Sequence, residues 1–244
     1  TLQASDIDIF AKINKKNLFY AKKIFNNADC IITPSPNLKR KMNKIFNLDT
    51  EVIGYGIYEE NLFRGLSPLK DKYKNKRIIL SVCRLIKTKG LDFNFKAIKE
   101  LISTYSNLHY IIIGDGPIKN ELENEVKELK LEKYVEFTGD IPNKKVMEYM
   151  SICDVFSLPS WQETLGLVYL EAMAHRKPVI GVLGQGVDGV IEDKISGFLV
   201  KPKSTEDVLD RLNFIFQNPE KTKEISQKGQ KIALENYTWT KIAE

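Results

Sequence analysis

The stretch Arg77-Ile-Ile-Leu-Ser-Val-Cys-Arg-Leu85 (RIILSVCRL) is a nearly unbroken apolar run closed by an arginine. A strand with one wet face alternates apolar and polar residues. A near-continuous run is expected where helices cover both faces, which is the situation of a parallel sheet. The flanking sequence agrees. "LDFNFKAIKELIST" follows as an amphipathic helix, "LHYIIIGDGP" as a strand entering a glycine-rich turn, and "IKNELENEVKELKL" as a charged surface helix. The alternation continues through "YVEFTGDIP", "NKKVMEYMSIC", "DVFSLPS", "LGLVYLEAMAH", "KPVIGVLGQG", "GFLVKP" and "STEDVLDRLNFIFQN". Strand-helix alternation of this kind predicts an α/β fold with a doubly wound parallel sheet over 76–219.

The chain before this unit is shorter. "IFNNADCIITPS" and "TEVIGYGI" read as two strands, with Ser35 a candidate cap for the helix "PNLKRKMNKIF". Residues 1–57 therefore read as part of a second lobe, 58–75 as a polar linker, and 220–244 as a C-terminal helical segment. The composition is that of an ordinary globular chain, 43% hydrophobic and 28% charged over 244 residues. The net charge of +5 is carried by scattered lysines, without the aromatic-and-basic interleaving of a nucleic-acid binder. Cys30, Cys83 and Cys153 have no metal-ligand spacing and read as free buried thiols in a reducing compartment. No apolar run approaches the roughly 18 residues of a membrane span. The cytoplasm is the expected location, and the basic stretch 37–44 permits peripheral contact with an anionic membrane face.

In an open α/β sheet, ligands sit beyond the carboxyl ends of the strands. Those ends carry Arg84, Lys87 and Lys89; Gly114-Asp-Gly-Pro117; Gly139-Asp-Ile141; Ser160, Glu163 and Gly166; and Gly184-Gln-Gly186. Arg84 and Lys89 suit a phosphate, one as a fixed fork of donors and the other as a mobile charge. Either one alone is more often plain surface. His109, His175, Trp161 and Trp239 read as structural. Glu163 and Glu171 flank an apolar helix start. In one continuous helix they would stand about 80° and about 12 Å apart and would not converge. A helix starting near Leu165-Gly166 instead puts Glu163 in the loop over its N-terminus and Glu171 a turn inside. Free N–H groups and two cations then form a diphosphate site, with carboxylates suited to gripping diols.

These residues resemble the nucleotide-binding lobe of retaining GT-B glycosyltransferases of family GT4. The matching motifs are "SVCRLIKTKGLDFNFKAI", "YIIIGDGP", "VEFTGDIP", "DVFSLPSWQETLGLVYLEAMAHRKPVIG" with its E-x7-E spacing, and "DKISGFLV", over about 29–212. The resemblance implies a sugar transferred with retention from a UDP- or GDP-sugar, without a catalytic metal or cofactor, to an acceptor that the sequence leaves open. It implies that Arg84 and Lys89 bind the diphosphate, that Glu163 faces the donor sugar, and that Glu171 holds the ribose hydroxyls. Gly114, Gly139, Asp140, Ile141, Thr164, Leu165, Gly166 and Leu167 complete the implied donor-binding set. The N-terminal "TLQASDIDIF" departs from the family pattern, with Gln3-Ala4 where His-Gly is expected. The same resemblance implies an acceptor lobe whose first half lies outside this chain, supplied in cis or in trans. The alternative reading is a donor-binding lobe without turnover in isolation.

Overall fold

The computed structural model describes the backbone from residue 15 onward and side chains from Phe19. The "TLQASDIDIF" motif, with Gln3-Ala4, lies outside the described residues. Helix α1 spans Lys15–Asn26, strand β1 Ile32–Thr33, helix α2 Pro36–Phe46 and strand β2 Glu51–Val52. β1 and β2 pair in parallel, and both strands are shorter than their apolar sequence suggests. Ser35 caps α2 as expected, its hydroxyl accepting the Leu38 N–H at 3.3 Å. A small core of Ala21, Leu38, Met42 and Phe46 holds these elements together.

The stretch 58–75 contains the short helix α3 (Leu69–Lys72) and is not a loose linker. Tyr73 is buried, and Leu62, Phe63 and Leu69 pack on the main core. Tyr73 donates its hydroxyl to Glu136, which also accepts from Lys72 and lies 3.0 Å from His109 Nε2. The Phe63 N–H donates to His175 Nε2 at 3.0 Å, while Nδ1 of the same ring donates to the Glu171 carbonyl. The neutral Nδ1–H tautomer is thereby fixed, and burial holds the His175 pKa below its usual value. Both histidines are structural, as read from the sequence.

The main sheet has six parallel strands: β3 (Arg77–Val82), β4 (Leu108–Ile113), β5 (Val135–Gly139), β6 (Val155–Ser157), β7 (Val179–Val182) and β8 (Phe198–Val200). Their spatial order is β5-β4-β3-β6-β7-β8. The chain builds outward from β3 to one side, then returns to start β6 on the other, so the strand order reverses between β3 and β6. Helices α4 (Leu91–Leu101), α5 (Lys119–Glu128), α6 (Asn143–Ile152), α7 (Leu167–Ala174), α8 (Thr205–Gln217) and α9 (Pro219–Asn236) connect and cover the strands. Ile78, Ile79 and Leu80 of β3 are almost wholly buried, as a strand covered on both faces requires. Each such side chain stabilises the fold by about 1.5–3 kcal/mol through burial.

A buried polar knot lies beneath the β3–β6 junction. Asn94 of α4 donates to Tyr110 Oη at 2.8 Å and accepts from Ser157 Oγ at 2.7 Å, and Ser81 Oγ lies 2.7 Å from Tyr110 Oη. It ties α4 to β3, β4 and β6, with each group satisfied by another. Helix α10 (Trp239–Ala243) ends the chain. Just before it, Ile57 and Thr238 form a parallel bridge, with the Ile57 N–H donating to the Tyr237 carbonyl and the Trp239 N–H to the Ile57 carbonyl. Among the three cysteines, Cys153 is buried and Cys83 partly buried, but Cys30 is exposed. The buried reading of Cys30 is thus corrected: β1 is only two residues long and starts two positions after Cys30, so it does not enclose it.

Candidate donor site at the strand-order reversal

The crevice between the carboxyl ends of β3 and β6 is where a ligand is expected in a sheet of this order. The two strand ends are stitched together there. The Trp161 N–H and Ser160 Oγ both donate to the Thr88 carbonyl, at 3.0 and 3.2 Å. Across this seam Lys89 Nζ pairs with Glu163 Oε2 at 2.7 Å, with side chains 16% and 15% exposed. The ion pair engages one carboxylate oxygen and leaves Oε1 for another donor.

Arg84, by contrast, is exposed, and its guanidinium has no hydrogen-bond or ion-pair partner among the described residues. It borders a cavity of about 530 Å³ that Gly114, Asp140, Ile141, Val146 and Val168 also line. Gly139 closes this turn, its carbonyl accepting the Gly114 N–H at 3.0 Å. Cys83 lines the same cavity, and burial pushes its thiol up to about 12, with Lys89 drawing it down and Glu163 raising it.

Helix α7 begins one residue later than the Leu165-Gly166 start expected from the sequence. Gly166 is its N-cap, in the left-handed region at φ 78. The N–H groups of Leu165, Gly166 and Leu167 meet no acceptor among the described residues. Three successive unpaired donors at a helix N-terminus attract an anion. The Glu163 N–H, in the loop above, donates to Gln185 Oε1 at 3.3 Å. The predicted separation of the two acids holds: Glu163 is in the loop and Glu171 in the helix.

Glu171 faces a second cavity, of about 290 Å³, shared with Asn143, Met147, Leu167, Tyr58 and Trp239. Neighbouring residues of α6 and α7 line both cavities: Val146 and Val168 the first, Met147 and Leu167 the second. The Glu171 carboxylate has no partner among the described residues, and desolvation holds its pKa above the ordinary glutamate value. Trp239, read from the sequence as packing only, is 40% exposed beside this carboxylate, and its ring lies 5.9 Å from that of Tyr58. Gln185 falls in the strand-end turn Gly184-Gln-Gly186 noted in the sequence, whereas no local spacing ties Tyr58 and Trp239 to the strand ends. Trp161 does pack, edge-on to Phe93 and beneath Lys203.

Another cavity of about 530 Å³, lined by Arg77, Asp154, Arg176, Lys177 and Lys223, lies at the amino ends of β3, β6 and β7. That is the end of the sheet away from the helix N-termini. Among the described residues no group of three or more metal-ligating side chains occurs, and no helix is long and apolar enough to cross a membrane.

Known proteins share this fold. The Anabaena protein HepE, solved with UDP and glucose, superposes with a TM-score of 0.82 at 23% identity, over 95% of this chain and 66% of that one. Sucrose-phosphate synthase from Thermosynechococcus elongatus does so with a TM-score of 0.83 at 24% identity, over 96% of this chain and 60% of that one. Both likenesses show the GT-B fold. In sequence, the alpha-monoglucosyldiacylglycerol synthase of Acholeplasma laidlawii is 31% identical over 83% of this chain and 54% of its own. The chain spans about half the length of the curated relatives it matches. The family model described as glycosyl transferases group 1 matches residues 67–232, which include both glutamates, both cations and the whole six-stranded sheet, and the chain belongs to that family.

Proposed function

We propose that the chain carries the donor site of a retaining glycosyltransferase, which moves a hexose-type sugar from a UDP- or GDP-sugar to an acceptor in polysaccharide or glycoconjugate synthesis. The observation that carries this reading is the convergence at the β3–β6 reversal. An arginine, three N–H groups and a carboxylate that have no partner among the described residues, together with a lysine–glutamate pair, lie around these strand ends. When the bond between the sugar's anomeric carbon and the diphosphate breaks, negative charge builds on the distal phosphate. Arg84, Lys89 and the N–H groups of Leu165 to Leu167 stand to receive it. Fixed donors of this kind stabilise developing charge without reorganising.

The ion pair with Glu163 fixes the position of Lys89, and the second Glu163 oxygen takes a sugar hydroxyl. Glu171 accepts the two ribose hydroxyls, and the turn at Gly139, Asp140 and Ile141 borders the base. The reading calls for no metal, because two cations and a helix N-terminus neutralise the leaving group. Retention follows from the family resemblance, and HepE's complex with UDP and glucose supports a nucleotide-sugar donor on this fold. The division into an acceptor-side segment (1–57), a connecting stretch (58–75), a donor lobe (76–219) and a C-terminal helical segment (220–244) belongs to the same reading, as does a cytoplasmic location. Within the basic stretch 37–44, Lys39 pairs with Asp49 and Arg40 with Asp188, so part of its charge is engaged inside the chain.

Titration calorimetry with UDP and GDP tests the proposal. One of them is expected to bind at micromolar to millimolar strength, and Arg84→Ala is expected to weaken it about tenfold by removing a charge-assisted phosphate contact. Arg84 is exposed and has no partner among the described residues, so the variant is expected to melt within about 0.5 kcal/mol of the parent. A folded chain that binds neither nucleotide overturns the proposal. A second reading, donor binding without turnover by this chain alone, is favoured by its covering only 51% and 54% of two relatives' lengths. Acceptor-dependent release of UDP or GDP separates the two.

A further inference from the structure

The N-terminal end of α2 reaches across to the two loops that frame the distal-phosphate end of the site. Ser35, fully buried, donates its hydroxyl to the Thr164 carbonyl at 2.7 Å while capping its own helix. Asn37, 6% exposed, donates from Nδ2 to the Gly184 carbonyl at 2.9 Å. Arg40 pairs with Asp188 at 3.0 Å and donates to its carbonyl at 3.2 Å. Asp188 in turn accepts the Gly184 N–H at 2.6 Å, which closes the turn that Asn37 grips. This turn presses on the loop bearing Glu163: a Cβ at Gly186 would stand 2.6 Å from the Leu165 nitrogen, so only glycine fits.

From these contacts we infer that Ser35, Asn37 and Arg40 are positioning residues for the diphosphate-and-sugar end of the donor site. The inference rests on the donor-site reading above. The physical link is the peptide plane. The Thr164 carbonyl and the Leu165 N–H belong to one trans peptide and point in opposite directions. Holding the carbonyl on Ser35 therefore aims the Leu165 N–H away from α2, as one of the three donors left without an acceptor. The Asn37 and Arg40 contacts hold the 184–188 turn, whose Gln185 side chain accepts the Glu163 N–H. The acceptor-side segment thus sets the geometry of Glu163 and of the N–H row. It makes none of these contacts to the Gly139–Ile141 turn, where the base is read.

The clasp therefore acts on one part of the ligand only. Asn37→Ala and Arg40→Ala are expected to weaken the nucleoside diphosphate and its sugar conjugate about tenfold, the value of a positioned charge-assisted hydrogen bond. Binding of the nucleoside monophosphate is expected to stay within about twofold, since it does not reach the N–H row. Arg40→Lys, which keeps the ion pair, is expected to restore most of the loss. Calorimetry with the three nucleotides of the base that the parent chain binds reads this out, with melting curves confirming the fold. An equal loss for all three nucleotides, or no loss for any, overturns the inference.

Hydrogen exchange on the free chain gives a readout that needs no nucleotide. Amides 163–167 and 184–188 are expected to exchange faster in Asn37→Ala, and unchanged exchange there refutes the clasp. If the clasp is seen by exchange while the parent chain binds no nucleotide, the donor-site reading fails and the positioning role falls with it.

Discussion

Glu171→Gln is expected to make the chain more stable at pH 7 and, on the donor-site reading, to weaken nucleoside diphosphate binding. The Glu171 carboxylate is partly buried beside the smaller cavity, has no donor or cation as partner among the described residues, and has a pKa raised by desolvation alone. An acid with a raised folded-state pKa binds its proton more tightly in the folded chain than in the unfolded one. Its ionised form therefore subtracts from stability, fully above the folded pKa and not at all below the unfolded one. Glutamine has the same size and no charge, so the substitution removes the penalty without leaving a void. The gain at pH 7 is about 1 kcal/mol, the low end of the cost of an unsatisfied buried polar group, because the carboxylate keeps some access to the cavity. For a chain of this length that corresponds to a rise in Tm of about 2–4 °C. Paired denaturation curves at pH 7 and at about pH 4, near the ordinary glutamate pKa, measure the difference, which is expected to shrink at the lower pH. A variant no more stable than its parent at pH 7, or one whose gain is undiminished at low pH, refutes the reasoning. Loss of UDP or GDP binding in the same variant links the penalty to function.

Lys89→Ala leaves Glu163 as a partly buried charge without its partner, and urea denaturation is expected to show a loss of about 1–3 kcal/mol. Adding Glu163→Gln is expected to return part of that loss, and a strictly additive double variant refutes the pairing. Gly56→Ala would place a Cβ 2.6 Å from the Trp239 nitrogen and 2.7 Å from its Cα, backbone atoms that cannot swing aside. A loss of about 1–3 kcal/mol with altered tryptophan fluorescence is expected, and an unchanged Tm refutes the close approach.

The main sheet was legible because most of its strands are short apolar runs that end in glycine, polar or charged residues, and local pattern suffices to see that. The split of Glu163 and Glu171 between loop and helix was legible from helix geometry together with the rule that ligands sit at strand ends. The ion pair of Lys89 with Glu163 was not, since it spans 74 residues and depends on β6 lying next to β3. Sequence shows strands, whereas their lateral order comes from packing. The stretch 58–75 looked like linker because its polar residues outnumber its apolar ones. Its few apolar side chains, Leu62, Phe63, Leu69 and Tyr73, are the ones that dock. Trp239 is at the far end of the chain from Tyr58, and only the Ile57–Thr238 bridge brings the two rings beside Glu171.

That bridge also means that residues 58–236 leave and re-enter the rest of the chain through a single seam. A unit whose two ends lie side by side behaves as an insert, because its removal or replacement changes the covalent path at one place only. Exchanging this insert between members of the family therefore requires compatibility at one short two-stranded junction and at the α2 contacts. On the donor-site reading, a chimera built on that seam is expected to exchange donor preference while residues 1–57 stay as they are.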